Sequence, residues 1–304
     1  MSDNSSSKAR KGRISSVRHV VQALILALFC IPPLAVGMGL LGQGSGSDEL
    51  AQTASTLPFF GSLSSTTIFG LKVMDPFAML EAIAASKAFD PAWLLAALPV
   101  LVLYGLIRGR AFCGWACPVN FALEGVDFLR AKLGIKVAEH AVPRHAKLWI
   151  ALAVLVLCAL TGTLVFEVFS PISAINKGIV FGSLTGLVVL GAIVVAELFW
   201  GHRVWCRSLC PLGGMYEALG RVGFVSVKMD SDRCIHCDKC RTACICDPDI
   251  LDGVLDGGRR RVEAGDCMLC GKCIDICPTE ALSLGVCAPT VGTPAASPHA
   301  ESAA

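Results

Sequence analysis

Eight cysteines between residues 234 and 277 have the spacing of iron–sulfur ligands. They form two C-x2-C-x2-C-x3-C runs, and Pro278 follows the second run directly. In such runs three closely spaced thiolates bind one [4Fe–4S] cluster, while the fourth ligates the neighbouring cluster. Zinc and disulfides are the alternatives, but structural zinc sites use two C-x-x-C pairs rather than two quartets, and disulfides need an oxidising compartment. The spacing therefore predicts two clusters with crossed ligation.

Crossed ligation assigns four cysteines to each cluster. The ligands of cluster I are Cys234, Cys237, Cys240 and Cys277. The ligands of cluster II are Cys267, Cys270, Cys273 and Cys244. Cys246 lies two residues beyond Cys244 and makes the first run irregular. Cys244 has the expected spacing, and Cys246 stays an alternative ligand because spacing alone does not separate the two.

A second cysteine motif, R-x-[FW]-C-x3-C-P, occurs twice, beginning at Arg110 and again 93 residues later at Arg203. Its cysteines are Cys113, Cys117, Cys206 and Cys210. These thiols could ligate a further metal, form a redox-active dithiol relay, or only shape the ends of helices. Cysteine is a poor helix cap, and each arginine is expected to lower the pKa of the thiols that follow it. A redox or metal role is therefore favoured, and the four thiols are the candidate catalytic site.

Composition indicates that a membrane domain positions these motifs. Of 304 residues, 54% are hydrophobic and 16% are charged, and the mean hydropathy is +0.64, which is unusual for a soluble domain. A formal net charge of +2 gives no indication of nucleic-acid binding. Apolar segments at residues 20–41, 91–107, 148–166 and 178–196 predict four transmembrane helices. The first segment has 22 residues, which is longer than the apolar region of a signal peptide.

The distribution of lysine and arginine predicts the orientation in the membrane. The amino-terminal tail has five such residues and the stretch between the second and third segments has seven, whereas the opposite face has only Lys72, Lys87 and Lys177. Twelve against three predicts a multi-pass membrane protein with both termini and the central loop in the cytoplasm. Residues 42–90 are then expected to form an irregular outer loop, in which Asp75 and Pro76 break regular structure.

The predicted fold is an α-helical membrane protein, with four transmembrane helices in two hairpins, followed by an α+β two-cluster ferredoxin domain. The predicted boundaries are a cytoplasmic tail at 1–19, a membrane domain at 20–218, a ferredoxin domain at 219–286 and a disordered tail at 287–304. Alternating apolar residues at 224–228 and 281–286 predict short strands on either side of the cysteine runs.

Two C-x3-C-P motifs at the ends of the second and fourth apolar segments, followed by two cluster runs, resemble the NapH-type family. This family comprises membrane-bound ferredoxin-type quinol dehydrogenases of periplasmic nitrate reductase systems. Residues 142–145 (VPRH) and 160–164 (LTGTL) are also similar to that family. Related proteins include the ferredoxin-type membrane protein of methylamine utilisation. The resemblance covers residues 15–286 and departs from the family pattern at Cys244-Ile245-Cys246.

The resemblance implies an electron-transfer component rather than a stand-alone enzyme. Its two [4Fe–4S] clusters would receive electrons from membrane quinol and deliver them towards a periplasmic ferredoxin-type protein, a cytochrome c and nitrate reductase. The alternative is an iron–sulfur assembly or regulatory membrane protein for another respiratory or amine-oxidising complex. Glu167 and Glu197, at the ends of the third and fourth segments, are candidate acceptors of quinol protons. His202 and Trp205 are alternatives for the quinol site.

Overall fold

The computed structural model describes residues 12–37, 59–61, 63–68, 70–134, 143, 145–174 and 184–287. The chain divides into two compact units. The cluster unit comprises residues 1–15, 104–111 and 216–304, and the helical unit comprises residues 16–103 and 112–215. The predicted disordered tail lies outside the described residues except for Cys287. Residues 104–111 group with the carboxyl-terminal part of the chain, so these units do not coincide with the predicted domains. The predicted domain boundaries stay predictions.

Helices predominate up to residue 220. They are α1 (Arg13–Gly37), α2 (Pro76–Ser86), α3 (Pro91–Ile107), α4 (Ala111–Trp115), α5 (Pro118–Leu133), α6 (Ala146–Thr161), α7 (Val165–Phe169), α8 (Leu184–Phe199) and α9 (Pro211–Gly220). Among the described residues, one stretch, Arg13–Ile31 in α1, is long and apolar enough to cross a membrane, with a mean hydropathy of 1.9. Helices α2, α3 and α6 and the stretch Val188–Phe199 of α8 are apolar but shorter.

The predicted third transmembrane segment is broken in two. Helix α6 ends at Thr161 because Gly162 adopts a left-handed conformation, with φ of 69°, and donates its N–H to the carbonyl of Cys158. Helix α7 then begins at Val165. The prediction of one continuous helix over 148–166 was therefore wrong, since hydropathy does not detect a glycine cap inside an apolar run.

The prediction of an irregular outer loop was also wrong. Strands β1 (Phe59–Gly61), β2 (Ser65–Ile68) and β3 (Leu71–Met74) form an antiparallel sheet that leads into α2. The side chain of Asp75 accepts hydrogen bonds from the N–H groups of Phe77 at 2.9 Å and Ala78 at 3.3 Å. Asp75 is therefore an N-cap, and Pro76 occupies the first helical position, where a proline costs no hydrogen bond. The Asp-Pro pair starts a helix instead of breaking one.

The cluster unit contains a two-stranded ribbon that brackets both cysteine runs. Strands β4 (Val225–Met229) and β5 (Leu282–Val286) pair antiparallel along their full length. The predicted strands at 224–228 and 281–286 agree with these bounds to within one residue. The short helices between them are α10 (Lys239–Thr242), α11 (Asp252–Leu255) and α12 (Lys272–Ile276).

Residues 104–111 pack inside the cluster unit. The guanidinium of Arg108 donates to three backbone carbonyls, those of Val225 at 3.1 Å, Val262 at 3.1 Å and Ala264 at 2.8 Å. Arg108 is only 3% exposed. Its charge therefore stabilises the loop before the second cysteine run, and it does not lie at a solvated membrane edge as the charge count assumed.

Candidate iron–sulfur and thiol sites

Three of the four predicted cluster I ligands lie together in the cluster unit. Cys240 interacts electrostatically with Cys277 and Cys234. Cys240 is buried, Cys234 and Cys277 are half-buried, and Cys237 is exposed. The grouping of Cys277 from the second run with cysteines of the first run is the arrangement that crossed ligation requires. The role of each cysteine as a ligand stays a prediction.

The predicted cluster II ligands form a second, more buried group. Cys273 interacts electrostatically with Cys270, Cys267 and Cys244. Cys273, Cys270 and Cys267 are buried, and Cys244 is half-buried. Burial, with the neighbouring Cys270 thiol, raises the pKa of Cys244 to about 12. Iron binding would therefore have to displace a proton from this thiol. Soft sulfur ligands grouped in this way fit an iron–sulfur cluster.

Matching backbone turns in the two runs allow their cysteines to converge. His236 and Leu269, each two residues after the first cysteine of a run, have φ of 49° and 52°. Asp238 and Gly271, each directly after the second cysteine, have φ of 51° and 76°. Left-handed residues are uncommon outside glycine. Their recurrence at equivalent positions indicates that both loops curve around a common type of centre.

Cys246 also lies beside the cluster II group. Its thiol donates a hydrogen bond to the backbone carbonyl of Asp266 at 3.2 Å, and it interacts electrostatically with Cys244 and Cys270. The Cys244 thiol donates instead to the carbonyl of Asp247, also at 3.2 Å. Both thiols can therefore reach the group, and the choice between them as ligand stays open.

The four thiols of the C-x3-C-P motifs come together in the helical unit. Cys117 interacts electrostatically with Cys113 and Cys210, and Cys206 interacts with Cys117 and Cys210. Three of the four are buried, Cys210 is half-buried, and none of the four forms a disulfide bond. The N–H of Gly213 donates to the sulfur of Cys210 at 3.4 Å. Four thiols at one place can bind a soft metal or exchange electrons as dithiols.

The two motifs share their local backbone as well as their sequence. Cys117 (φ −71°, ψ 119°) and Cys210 (φ −71°, ψ 112°) are both extended. Pro118 begins α5 and Pro211 begins α9, so each proline starts the following helix. The repeat therefore presents each second cysteine directly before a helix.

Burial outweighs the charge of Arg203, which lowers the pKa of Cys206 as expected of the motif arginine. Burial raises the pKa of Cys206 well above its ordinary value, and the opposing charge of Arg203 does not reverse this. Burial likewise raises the pKa of Cys117. Spacing in the sequence suggested an activated thiolate, but it could not indicate how completely the thiols are removed from water.

Arg203 instead belongs to a buried ion-pair network. Its Nη2 and Nε donate to Asp127 at 2.7 Å and 2.9 Å, and its Nη1 donates to the side-chain oxygen of Asn120 at 2.8 Å. Burial opposes ionisation of Asp127, but the hydrogen bond from His202 and the charge of Arg203 outweigh it and lower the pKa of Asp127 to about 2. His202 therefore serves this network, which links α5 to the segment after α8.

Helix α1 is tied to the same region. Arg18 is fully buried and its Nη2 donates to the carboxylate of Glu124 at 2.7 Å. The side-chain amide of Gln22 donates to the carbonyl of Gly114, inside the first motif, at 2.8 Å. The sequence prediction counted Arg18 among the charges of a cytoplasmic tail, whereas it stabilises the packing of α1.

Of the predicted quinol-site carboxylates, Glu167 lines a small cavity in the helical unit. The cavity also has Glu81, Phe112 and Leu212 in its wall. Its volume is about 10 Å³, which is room for about one water molecule. In the sequence, Phe112 precedes Cys113 and Leu212 follows Pro211.

Glu81 is the cavity residue that sequence reasoning missed. It is fully buried, and its Oε1 accepts hydrogen bonds from the Phe166 N–H at 2.8 Å and the Cys158 thiol at 3.2 Å. Its Oε2 is buried without a hydrogen-bond partner among the described residues. Cys158 is itself buried. A lone glutamate within an apolar segment was the available signal.

Glu197 has a different surrounding. It is 3% exposed, and its carboxylate accepts the backbone N–H of Trp205 at 3.0 Å. Trp205 begins the π-helical turn that carries Cys206. Glu197 and Trp205 therefore hold the backbone of the second motif, and neither lines the cavity that contains Glu167.

Comparison with known proteins matches both cysteine regions to iron–sulfur families. One family, described as a 4Fe-4S binding domain, matches residues 89–136 and 183–229, which contain the two C-x3-C-P motifs. A second family of the same description matches residues 261–283. No solved structure is significantly similar to this chain.

Curated relatives extend the similarity to most of the chain. The methylamine utilization ferredoxin-type protein MauN of Methylorubrum extorquens is 31% identical over 272 residues, covering 88% of each chain. The ferredoxin-type protein NapH of Escherichia coli is 31% identical over 228 residues, covering 74% of this chain and 79% of the relative. The putative electron transport protein YccM of Escherichia coli is 26% identical and covers 72% and 66%. These relations confirm the resemblance seen in the motifs: the chain belongs to the NapH/MauN family of ferredoxin-type 4Fe-4S electron-transfer proteins.

Proposed function

We propose that this chain oxidises quinol in the bacterial inner membrane and passes the electrons through two [4Fe–4S] clusters to a periplasmic ferredoxin-type protein. A cytochrome c and nitrate reductase would then receive them, as the NapH-type resemblance implies. The observation that carries the proposal is the grouping of four motif thiols in an apolar helical unit. Each cluster, when bound, supplies a one-electron carrier.

The exposed surface of the helices supports a membrane location. Large apolar side chains project outward from three of them, including Leu24 of α1 (64% exposed), Leu95 of α3 (72%) and Leu160 of α6 (78%). Contact with lipid would remove this apolar surface from water. Helix α3 is about 25 Å long, so a bilayer core of about 30 Å would thin locally around it. We propose four membrane helices in two hairpins, with both termini in the cytoplasm.

The cavity lined by Glu81 and Glu167 is the best candidate for proton uptake from quinol. Oxidation of a quinol releases two protons, and a buried carboxylate can accept one when it is held close to the reacting hydroxyl. The aromatic rings of Phe77 and Phe166 pack edge to face at 5.5 Å in the same wall. A quinol ring would need this wall to open, since the cavity itself holds about one water molecule.

The cluster I group has the exposure expected of an electron exit. Cys237 is exposed, and Cys277 lines an open cleft of about 640 Å³ together with Arg13 and Arg233. The cluster II cysteines from the second run are buried. A redox partner on the same side of the membrane as the clusters could therefore approach cluster I more closely than cluster II.

A second context is favoured by one observation. The similarity to MauN covers 88% of both chains, which supports service to an amine-oxidising system as well as to nitrate reduction. This alternative includes an assembly or regulatory role for such a complex. Under this alternative the protein that receives the electrons is different, and the two proposed [4Fe–4S] clusters are the same.

The proposal is tested by quinol-driven reduction of the purified, cluster-loaded protein in proteoliposomes. Under anaerobic conditions, a ubiquinol analogue is expected to reduce at least one cluster, as observed by electron paramagnetic resonance. Dithionite gives the total reducible signal. Clusters that dithionite reduces and quinol leaves oxidised at every quinol concentration would exclude quinol oxidation and favour the assembly or regulatory role.

A further inference from the structure

The first motif arginine contacts the second cysteine run. Nη1 of Arg110 donates to the carboxylate of Asp266 at 2.9 Å and to the carbonyl of the same residue at 3.2 Å. Both side chains are buried, with 2% and 3% exposed. Asp266 directly precedes Cys267, so this buried pair fixes the backbone at the first cysteine of the second run.

The same carbonyl is shared with Cys246. Its thiol donates to the Asp266 carbonyl at 3.2 Å, and the residue is 5% exposed and interacts electrostatically with Arg110. Cys246 also interacts with Cys267 and Cys270. The guanidinium of Arg110 thus lies within electrostatic range of the cysteine group assigned to cluster II.

Other charged groups near this pair include the carboxylate of Glu217, which lies within 4.8 Å of that of Asp266 and pairs with Arg221 at 3.7 Å. Arg221 is 61% exposed, so solvent screens its charge. Arg108 is buried and donates to the carbonyl of Ala264 at 2.8 Å. Arg110 differs from both because it is enclosed and pairs directly with Asp266, beside Cys267.

We propose that Arg110 is a positioning residue that holds the loop before Cys267 and makes the reduction potential of cluster II more positive than it would be without this charge. Reduction adds one negative charge to a cluster, and a buried cation nearby stabilises the reduced form. Asp266 opposes this effect by its own charge. The inference rests on the crossed ligation proposed above.

The repeat supports a specific role for this residue. Arg203 is the counterpart of Arg110 in the second motif, but it donates to Asp127 and Asn120 of the helical unit. The two arginines therefore have different partners despite their equivalent places in the sequence. A requirement of the C-x3-C-P motif alone would not explain why Arg110 contacts the second cysteine run.

The test measures both cluster potentials by anaerobic redox titration with electron paramagnetic resonance. The variants are Arg110→Gln, Arg110→Lys, Asp266→Asn and the double variant Arg110→Gln/Asp266→Asn. The signals are assigned with Cys240→Ser and Cys273→Ser, which should each remove a different cluster. Iron content is measured for every variant, so that loss of a cluster is distinguished from a change in its potential.

Arg110→Gln is expected to make the potential of cluster II more negative, and Asp266→Asn is expected to make it more positive. The double variant should fall between them, Arg110→Lys should stay near wild type, and cluster I should change least throughout. An unchanged cluster II potential in Arg110→Gln, or an equal shift of both clusters, would overturn the proposal. If Arg110→Gln does not fold, the double variant is compared with Asp266→Asn: a more negative cluster II potential in the double variant supports the proposal, and equal potentials overturn it. Dithionite serves as reductant, so the result does not depend on whether the protein oxidises quinol.

Discussion

The ion pair between Arg203 and Asp127 gives a quantitative prediction of stability. The pKa of Asp127 is about 2, compared with its ordinary value of 3.8. One pKa unit corresponds to about 1.4 kcal/mol, so ionised Asp127 contributes about 2 kcal/mol to folding. The Asp127 side chain is only 23% exposed, so solvent screening weakens its interaction with Arg203 only slightly. Because the folded pKa is lowered, the contribution is complete above about pH 4 and is lost as pH falls through 2.

Asp127→Asn should therefore lower the free energy of unfolding by about 2 kcal/mol at pH 7. Arg203→Ala should cost more, about 3–5 kcal/mol, since it removes a buried guanidinium that hydrogen-bonds both Asp127 and Asn120. The double variant should be less destabilised than the sum of the two, because both changes remove the same interaction.

The assay is thermal unfolding of the cluster-loaded protein in detergent under anaerobic conditions. For a chain of this size about 2 kcal/mol corresponds to a fall of about 4–8 °C in Tm. Asp232→Asn is the matched control, since Asp232 is exposed and its replacement should change stability by no more than about 0.5 kcal/mol. A Tm of Asp127→Asn equal to that of the control variant, or strictly additive single effects, would refute the reasoning.

Three further predictions follow from the sites. Anaerobically purified protein should contain close to eight iron atoms, as two [4Fe–4S] clusters require; Cys244→Ser should lose one cluster and Cys246→Ser should keep both, and the reverse result in an iron assay would transfer the ligand role to Cys246. A cytoplasm-active reporter fused after Val286 should be active and one fused within residues 44–56 should be inactive, since positive charges favour the cytoplasmic side; an inactive carboxyl-terminal fusion would place the clusters outside. Glu81→Gln should slow quinol-driven cluster reduction by about 100-fold or more, whereas Glu197→Gln should not, and equal rates in the two variants would remove Glu81 from proton uptake.

The cysteine grouping could be predicted from the sequence because ligand spacing is a local property. Two repeated runs leave few ways to place eight thiols around two centres, and Cys240 does lie with Cys277 of the second run while Cys273 lies with Cys244 of the first. The flanking strands were likewise predicted within one residue, since their alternation is visible over five positions. Composition predicted apolar helices, although α6 ends earlier than hydropathy suggested.

The charged residues were misjudged because their partners are distant in the chain. Arg110 and Asp266 are 156 residues apart, and Arg18 and Glu124 are 106 apart. A count of basic residues treats Arg18 and Arg110 as solvated charges. In the structure Arg18, Arg110 and Asp266 are each at most 2% exposed. The pairing depends on tertiary packing, and no periodicity in the sequence encodes it.

Glu81 was missed for a related reason. The segment around it was assigned to an irregular loop, because Asp75 and Pro76 resemble a turn when they are considered alone. In the structure Asp75 caps α2 and thereby places Glu81 against Phe166. The same two residue types can end or begin a helix, and the residues that follow them decide the outcome.

The central claim is that the motif cysteines, as a dithiol–disulfide couple or as ligands of a soft metal, transmit electrons from quinol to the clusters. It is tested most directly by the double variant Cys113→Ser/Cys206→Ser. Serine nearly preserves size and removes soft-metal and redox chemistry, so the eight cluster cysteines should retain their iron. The measurement is the rate of cluster reduction by a ubiquinol analogue in proteoliposomes, with dithionite reduction as the control. The account predicts a sharp fall in the quinol-driven rate with unchanged dithionite reduction. Reduction by quinol at the wild-type rate would contradict it and leave the thiols with a structural role.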